Sequence, residues 1–150
     1  MPPKPGDLET LYFRLFNEIG IIAQLSASRF QRVLPHGLTV AQFSLLNHCV
    51  RLGDGWTPAR LAAAFQVTRG TMTNTLQKLE AKGFIRIEAD AEDARSKRVY
   101  LKSTGRAARD LALKELAPEL AGLPEGFPPE LAASILPALE QLRIWLDTHR

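Results

Sequence analysis

Seven residues between positions 68 and 77, six with polar side chains and one glycine that allows close approach, suit contact with the edge of a nucleic-acid base. Thr68, Arg69, Gly70, Thr71, Thr73, Asn74 and Gln77 fall on the polar side of a helical pattern whose other side is Met72, Leu76 and Leu79. A guanidinium pairs bidentately with guanine, and a carboxamide pairs with adenine. A threonine meets either a base edge or a thymine methyl. Thr68 and Thr71 stand where a helix begins, so they can hold a phosphate together with free N–H groups and the helix dipole. A solvated helix face has the same composition, so this stretch does not decide the matter alone.

The run Asp90-Ala91-Glu92-Asp93-Ala94-Arg95-Ser96-Lys97-Arg98 lies between two β-like segments, Phe84-Ile85-Arg86-Ile87 and Val99-Tyr100-Leu101. A carboxylate such as Asp93 can brace one arginine by charge-assisted hydrogen bonds. A second arginine is then free to enter the narrow, electronegative minor groove. Asp93, Arg95, Ser96, Lys97 and Arg98 are the candidate residues of this loop. If they only formed exposed pairs on a hairpin, each pair would contribute ~0–1 kcal/mol.

These residues need rigid elements behind them. Thr57 can cap a short helix that has Pro58 at its first position, where the missing N–H costs nothing, and that runs to Phe65. Gln66-Val67 make a turn, and Thr68 caps a helix reaching about Lys82 and ending at Gly83. Its apolar side is expected to pack with Leu61, Phe65 and Val67. Two helices in a tight turn with a basic hairpin behind them make a winged helix-turn-helix. The hairpin is too small to stand alone, so it must lean on that core.

Upstream, Asp7 can cap a long helix to about Val33. Leu8, Leu11, Leu15, Ile19, Ile22, Ser26, Phe30 and Val33 make one stripe expected to be buried. Phe13, Phe16, Ile21 and Leu25 add apolar surface beside it, which suits a second neighbour such as another subunit. Pro35 and Gly37 stop this helix, and Thr39 caps the next, Val40 to about Leu52. After the hairpin, Ser103 or Thr104 opens a helix to about Leu120, and the segment from Leu123 to Pro129 breaks it. A last helix begins near Pro129 and carries Leu131, Ile135, Leu139, Leu142 and Leu146, with a kink expected at Pro137. The fold class expected is mainly α with a small β-hairpin wing. In this reading residues 1–150 are one unit, with a winged helix-turn-helix lobe at 39–102.

Composition narrows the function classes. The 150 residues are 45% apolar and carry a formal charge of +3, enough to bury a core. Residues 60–110 hold eleven basic and six acidic side chains, a net +5, which leaves −2 for the rest of the chain. Such asymmetry suits a phosphate-binding region. One cysteine, Cys49, excludes an intrachain disulfide, and His36, His48 and His149 show no metal-ligand spacing. No metal or cofactor is expected. The sequence offers no nucleophile–base pair, no paired carboxylates on one face and no Gly-rich phosphate loop, so it does not read as an enzyme. The opening Met1-Pro2-Pro3-Lys4-Pro5-Gly6 is expected to be a disordered leader, and no apolar run has the length of a membrane span. Together these predict a cytoplasmic protein with no membrane partner.

The stretches LAAAFQVTRGTMTNTLQKLEAKGFIRI and DAEDARSKRVYLKSTG resemble the MarR family of bacterial transcription regulators. The family's wing reads D-x-R-D-x-R followed by V-x-L-T-x-x-G, and Asp90, Asp93, Arg95, Val99, Leu101 and Gly105 fit it. Glu92 and Lys102 depart from it: the first adds a negative charge near phosphates, and the second leaves capping of the following helix to Ser103 or Thr104. The resemblance implies that Arg95 is the minor-groove residue, with Asp93 its brace, and that Thr68 to Gln77 face the major groove of double-stranded DNA. It also implies a homodimer assembled from helices within 1–36 and 103–150, and raises a small-molecule effector. The effector's site is unknown; Phe13, Phe30, Phe43 and Trp56 are candidate lining residues that could equally be core. Cys49, among largely apolar neighbours, reads as a buried, inert thiol. The expected function is a sequence-specific DNA-binding regulator, a repressor on a pseudo-palindromic operator. The alternative is a winged helix that serves protein partners.

Overall fold

Threonine caps set the helices that matter most. In this computed structural model, which describes residues 4–150, Thr39, Thr57 and Thr68 each accept a backbone N–H three residues on. They open α2 (Val40–Leu52), α3 (Pro58–Phe65) and α4 (Arg69–Ala81). Gln42 completes a reciprocal box by accepting from the Thr39 N–H at 3.1 Å. Gln66 closes α3 in a left-handed conformation, φ 52°, and its backbone N–H bonds to Ala63. Gly83, φ 75°, ends the α4 segment where a side chain would be strained.

Among the described residues the other α-helices are α1 (Pro5–Val33), α5 (Ser103–Leu120), α6 (Leu123–Gly126) and α7 (Pro129–Thr148). α1 begins at Pro5 with Lys4 as its cap, three residues before the cap expected at Asp7. Its Lys4 N–H is held by the Asp7 carboxylate at 3.3 Å, so Asp7 lies inside the first turn and caps backwards. The leader expected at the start is therefore helical from Pro5; Met1, Pro2 and Pro3 lie outside the described residues. α6 is an additional short helix within the segment read as a break, and α7 runs unbroken through Pro137.

Strands β1 (Ile85–Ala89) and β2 (Lys97–Leu101) pair antiparallel, with Ile87 opposite Val99 and Ala89 opposite Lys97. Both are longer than the sequence suggests, because side chains close the loop between them. Asp90 Oδ1 accepts from the Glu92 N–H and Asp93 Oδ1 from the Arg95 N–H, both at 3.0 Å. The ladder then extends to Asp90, whose N–H reaches Ser96 O at 2.9 Å. The loop before α3 adds a third edge: Val99 exchanges backbone bonds with Gly55 and Trp56, and Leu101 N–H donates to Asp54 at 2.8 Å.

The chain divides into one compact unit ending at Leu116 and a second spanning Ala117–Arg150. In the first, Leu45, Leu46, Leu61, Met72, Leu76, Leu79, Ile85 and Val99 form a continuous buried core. Each large aliphatic side chain so enclosed contributes ~1.5–3 kcal/mol. Gly105 fits against the Phe84 carbonyl with no room for a methyl group. Val67, expected in this core, is exposed, because it belongs to the turn rather than to the inner face of α4.

The stripe on α1 is the main correction. Leu8, Leu11, Leu15 and Ile22 are exposed in the single chain, as are Phe13, Phe16, Ile21 and Leu25. Periodicity identifies an apolar face but not what covers it. In the second unit, α7 likewise has no buried residue and exposes Leu131, Ile135, Leu139, Trp145 and Leu146. Among the described residues no helix is long and apolar enough to cross a membrane.

Candidate nucleic-acid interface

The polar face of α4 is free to meet a partner. Thr68, Arg69, Gly70, Thr71, Thr73, Asn74 and Gln77 are all exposed, whereas Met72, Leu76 and Leu79 on the opposite side are buried. Thr68 donates its hydroxyl to Thr71 Oγ1 at 2.9 Å while accepting the Thr71 N–H, which leaves the Thr71 hydroxyl proton directed elsewhere. The first N–H groups of a helix have no intrahelical acceptor, so Arg69 and Gly70 present donors at the end of α4 that would approach a phosphate.

The wing assigns its arginines unequal tasks. Arg98 Nε pairs with Asp90 Oδ2 at 2.6 Å, and its Nη1 donates to Gly55 O at 2.7 Å. Arg98 is thus tied to the loop before α3. The brace expected from Asp93 takes a different form: Asp93 holds the backbone of Arg95, accepting its N–H, and receives the Ser96 N–H at its own carbonyl. The carboxylate–guanidinium pair belongs to Asp90. The Arg95 guanidinium has no hydrogen-bond or ion-pair partner among the described residues, and the same holds for the side chains of Arg69 and Lys97. Hydrogen bonds from the Glu92 backbone and then from Arg98 hold the Asp90 carboxyl below its ordinary value. Glu80 ties the wing to α4 by accepting the Ile87 N–H at 2.9 Å.

Helix α4 and the wing converge on one groove. A cavity of about 350 Å³ is lined by Arg69 and Thr73 of α4, by Arg95, Ser96 and Lys97 of the wing, and by Thr57, Pro58 and Ala59. Three cations and three hydroxyls therefore share a single concave surface. Asn74 and Gln77 lie outside it along α4, and Asp93 and Arg98 support its rim. The part played by the first turn of α3 was hidden in the sequence, where Thr57-Pro58 shows only as a helix start. Asp90 as the brace was hidden as well, since it depends on a carbonyl at Gly55, 43 residues from Arg98.

The aromatic residues that could line an effector pocket do not gather. Phe30 packs edge-on against Phe43 with ring centres 4.5 Å apart, Trp56 packs against His48 at 4.8 Å, and Phe13 is 72% exposed. His48 Nε2 is buried with no hydrogen-bond partner among the described residues. Burial first, and then the charge of Arg51, hold its pKa below the ordinary histidine value. Cys49 is buried, and burial, followed by the charge of Asp54, pushes its thiol up to about 11.

Comparison with known proteins agrees with this geometry. The MarR family model matches residues 36–96, which span α2, the helix-turn-helix and most of the wing. The transcriptional regulator HosA of Escherichia coli O157:H7 is 29% identical over 96 residues, 64% of this chain and 70% of that protein. A crystal structure of MarR superposes with a TM-score of 0.78 at 26% identity, covering 91% of this chain and 95% of that one. A mutant MarR from E. coli complexed with operator DNA shares the fold at a TM-score of 0.71 and 23% identity, covering 86% and 93%. With its capped helix-turn-helix and two-stranded wing, the chain has the fold of MarR-family transcriptional regulators and is similar to them in sequence across that lobe.

Proposed function

We propose that the protein is a homodimeric, sequence-specific DNA-binding repressor. Residues 39–102 are the DNA-binding lobe, and helices within 1–36 and 103–150 are the dimerisation region. Each copy sets the outer face of α4 in the major groove and Arg95 in the flanking minor groove. Two-fold symmetry then asks for a pseudo-palindromic operator with half-sites about one helical turn, ~34 Å, apart. The observation that carries this reading is the groove that joins Arg69 and Thr73 to Arg95 and Lys97, three of them cations whose side chains have no partner among the described residues. The operator-bound E. coli relative supports it by fold. The exposed apolar faces of α1 and α7 support the dimer, because faces of that extent mark association surfaces. Repression follows from occupying the operator in the cytoplasm. A small-molecule effector would relieve it by binding more tightly to a dimer whose recognition helices are wrongly spaced for DNA.

The test is fluorescence anisotropy on tiled duplexes from the DNA flanking the protein's own gene, at several salt concentrations. Tight binding to one fragment, weakening steeply as salt rises, is the expected result, because phosphate contacts release counterions. Weak binding to every fragment with a shallow salt slope would instead favour a winged helix that serves protein partners.

A further inference from the structure

The turn that joins α1 to the winged lobe is clamped from both sides. Pro35, His36 and Gly37 form a short 3-10 turn in which His36 (φ 58°) and Gly37 (φ 64°) are both left-handed, so the chain changes direction over two residues. From α1, Gln31 donates Nε2 to Leu38 O and accepts the Val40 N–H at Oε1, each at 3.0 Å. Its amide thereby brackets the Thr39 cap and satisfies one of the N–H groups that the start of α2 leaves without an intrahelical acceptor. From the opposite side Lys82, which caps the C-terminus of α4, donates Nζ to His36 O at 2.7 Å. The His36 ring rests edge-on against Phe84, 5.6 Å between centres.

We infer that Gln31 and Lys82 are positioning residues for DNA recognition, fixing the direction in which α1 leaves the lobe and hence the spacing of the two recognition helices. This rests on the dimeric DNA-binding reading above. The lever is long enough to matter. The 13 residues of α4 span ~20 Å at ~1.5 Å per residue. A rotation of about 10° about the Lys82 end therefore moves Arg69 by ~3.5 Å, about one ~3.4 Å base-pair step. The clamps hold the pivot, while the reading residues stand at the far end. Both clamp side chains are exposed, so their direct contribution to global stability is small.

The experiment uses the full chain with Cys49→Ala and a nitroxide at Ala59→Cys on the rigid first turn of α3, and measures the distance between the labels of the two copies. Gln31→Met with Lys82→Met removes the clamps while keeping side-chain length. The expected result is an unchanged melting temperature and dimer mass with a distance distribution widened by ~3 Å, as the lever predicts. On the duplex that the wild type binds, a one-base-pair insertion between half-sites should cost the wild type about tenfold and the double variant much less. Lys82→Arg, which keeps the donor, should restore part of the narrow distribution. A distribution as narrow as the wild type's would overturn the inference while leaving the dimer intact. No distance between copies in the wild type would instead bring down the homodimer reading, and this inference with it.

Discussion

Arg98 lies between Asp90 and Gly55, with Nε 2.6 Å from the carboxylate and Nη1 2.7 Å from the carbonyl. A guanidinium so engaged is a structural tie between wing and lobe. The tie explains why the wing can present Arg95, only three residues earlier, with its guanidinium unpaired.

Arg95→Ala should therefore weaken operator binding by about 1–3 kcal/mol, the cost of losing one specific contact. Lys97→Ala should weaken binding to all sequences alike and flatten the salt slope by about one unit. Titrations of both variants at four salt concentrations separate the two behaviours. Unchanged affinity in Arg95→Ala would remove the wing from the mechanism.

Asp90→Asn tests the tie itself. The Asp90 carboxyl is held below its ordinary value by the Glu92 N–H and by Arg98. A depressed carboxylate contributes stability above its unfolded pKa of about 3.9 and loses it as pH falls through the lower folded value. The wing of the wild type should thus stay docked at neutral pH and loosen only in acid. Asp90→Asn should show a loosened wing at every pH, with no acid limb. Fluorescence of Trp56, which shares backbone bonds with Val99 beside the tie, reports docking. An acid transition identical in both proteins would sink this account.

The helix-turn-helix was legible because its signals are local. Thr39, Thr57 and Thr68 cap the helices they precede, and Gly83 follows the last. The extra wing length was not legible, since it depends on Asp90 and Asp93 turning their side chains back onto the Glu92 and Arg95 N–H groups. The division of labour between Arg95 and Arg98 was hidden too, because sequence proximity cannot show which arginine meets Gly55. On α1, the period of the leucines identified an apolar face, but burial needs a partner that the period does not name.

Gly105→Ala should destabilise the first unit strongly. A methyl group there would overlap the Phe84 carbonyl oxygen and crowd Leu101. Because the obstructing atom is backbone, α5 would have to shift away from β1, and overpacking of that kind costs about 1–3 kcal/mol or more. Leu76→Ala, deep in the same core, should cost about 2–5 kcal/mol by leaving a cavity. Urea denaturation of both variants gives the values directly.

Cys49 should behave as an inert thiol. With its pKa pushed up to about 11, it stays protonated at neutral pH, and burial denies access to reagents. A raised acid contributes stability below the unfolded thiol's pKa of about 8.5, and that contribution is lost as pH climbs toward 11. Thiol reagents should therefore label the native protein only at the rate of its opening, and peroxide should leave operator affinity unchanged. Rapid labelling at neutral pH would show an opening at α2 that this packing does not contain.

Phe13→Glu should separate the proposed dimer. Phe13 is 72% exposed on the unpartnered face of α1, the most open large apolar side chain of the chain's described residues. Burying a phenylalanine contributes about 1.5–3 kcal/mol, and a two-fold interface counts the residue twice. Losing even about 3 kcal/mol weakens the dimer by roughly a hundredfold, before the cost of burying a carboxylate is added. Light scattering at micromolar concentration should find monomer. Operator binding should fall with it, because a single lobe reads one half-site. The melting of the winged lobe should change little, since its core of Leu61, Leu76 and Val99 is closed within one chain. A variant that stayed dimeric would place the association surface elsewhere. The exposed face of α7, probed by Trp145→Glu, would then be the surface to test.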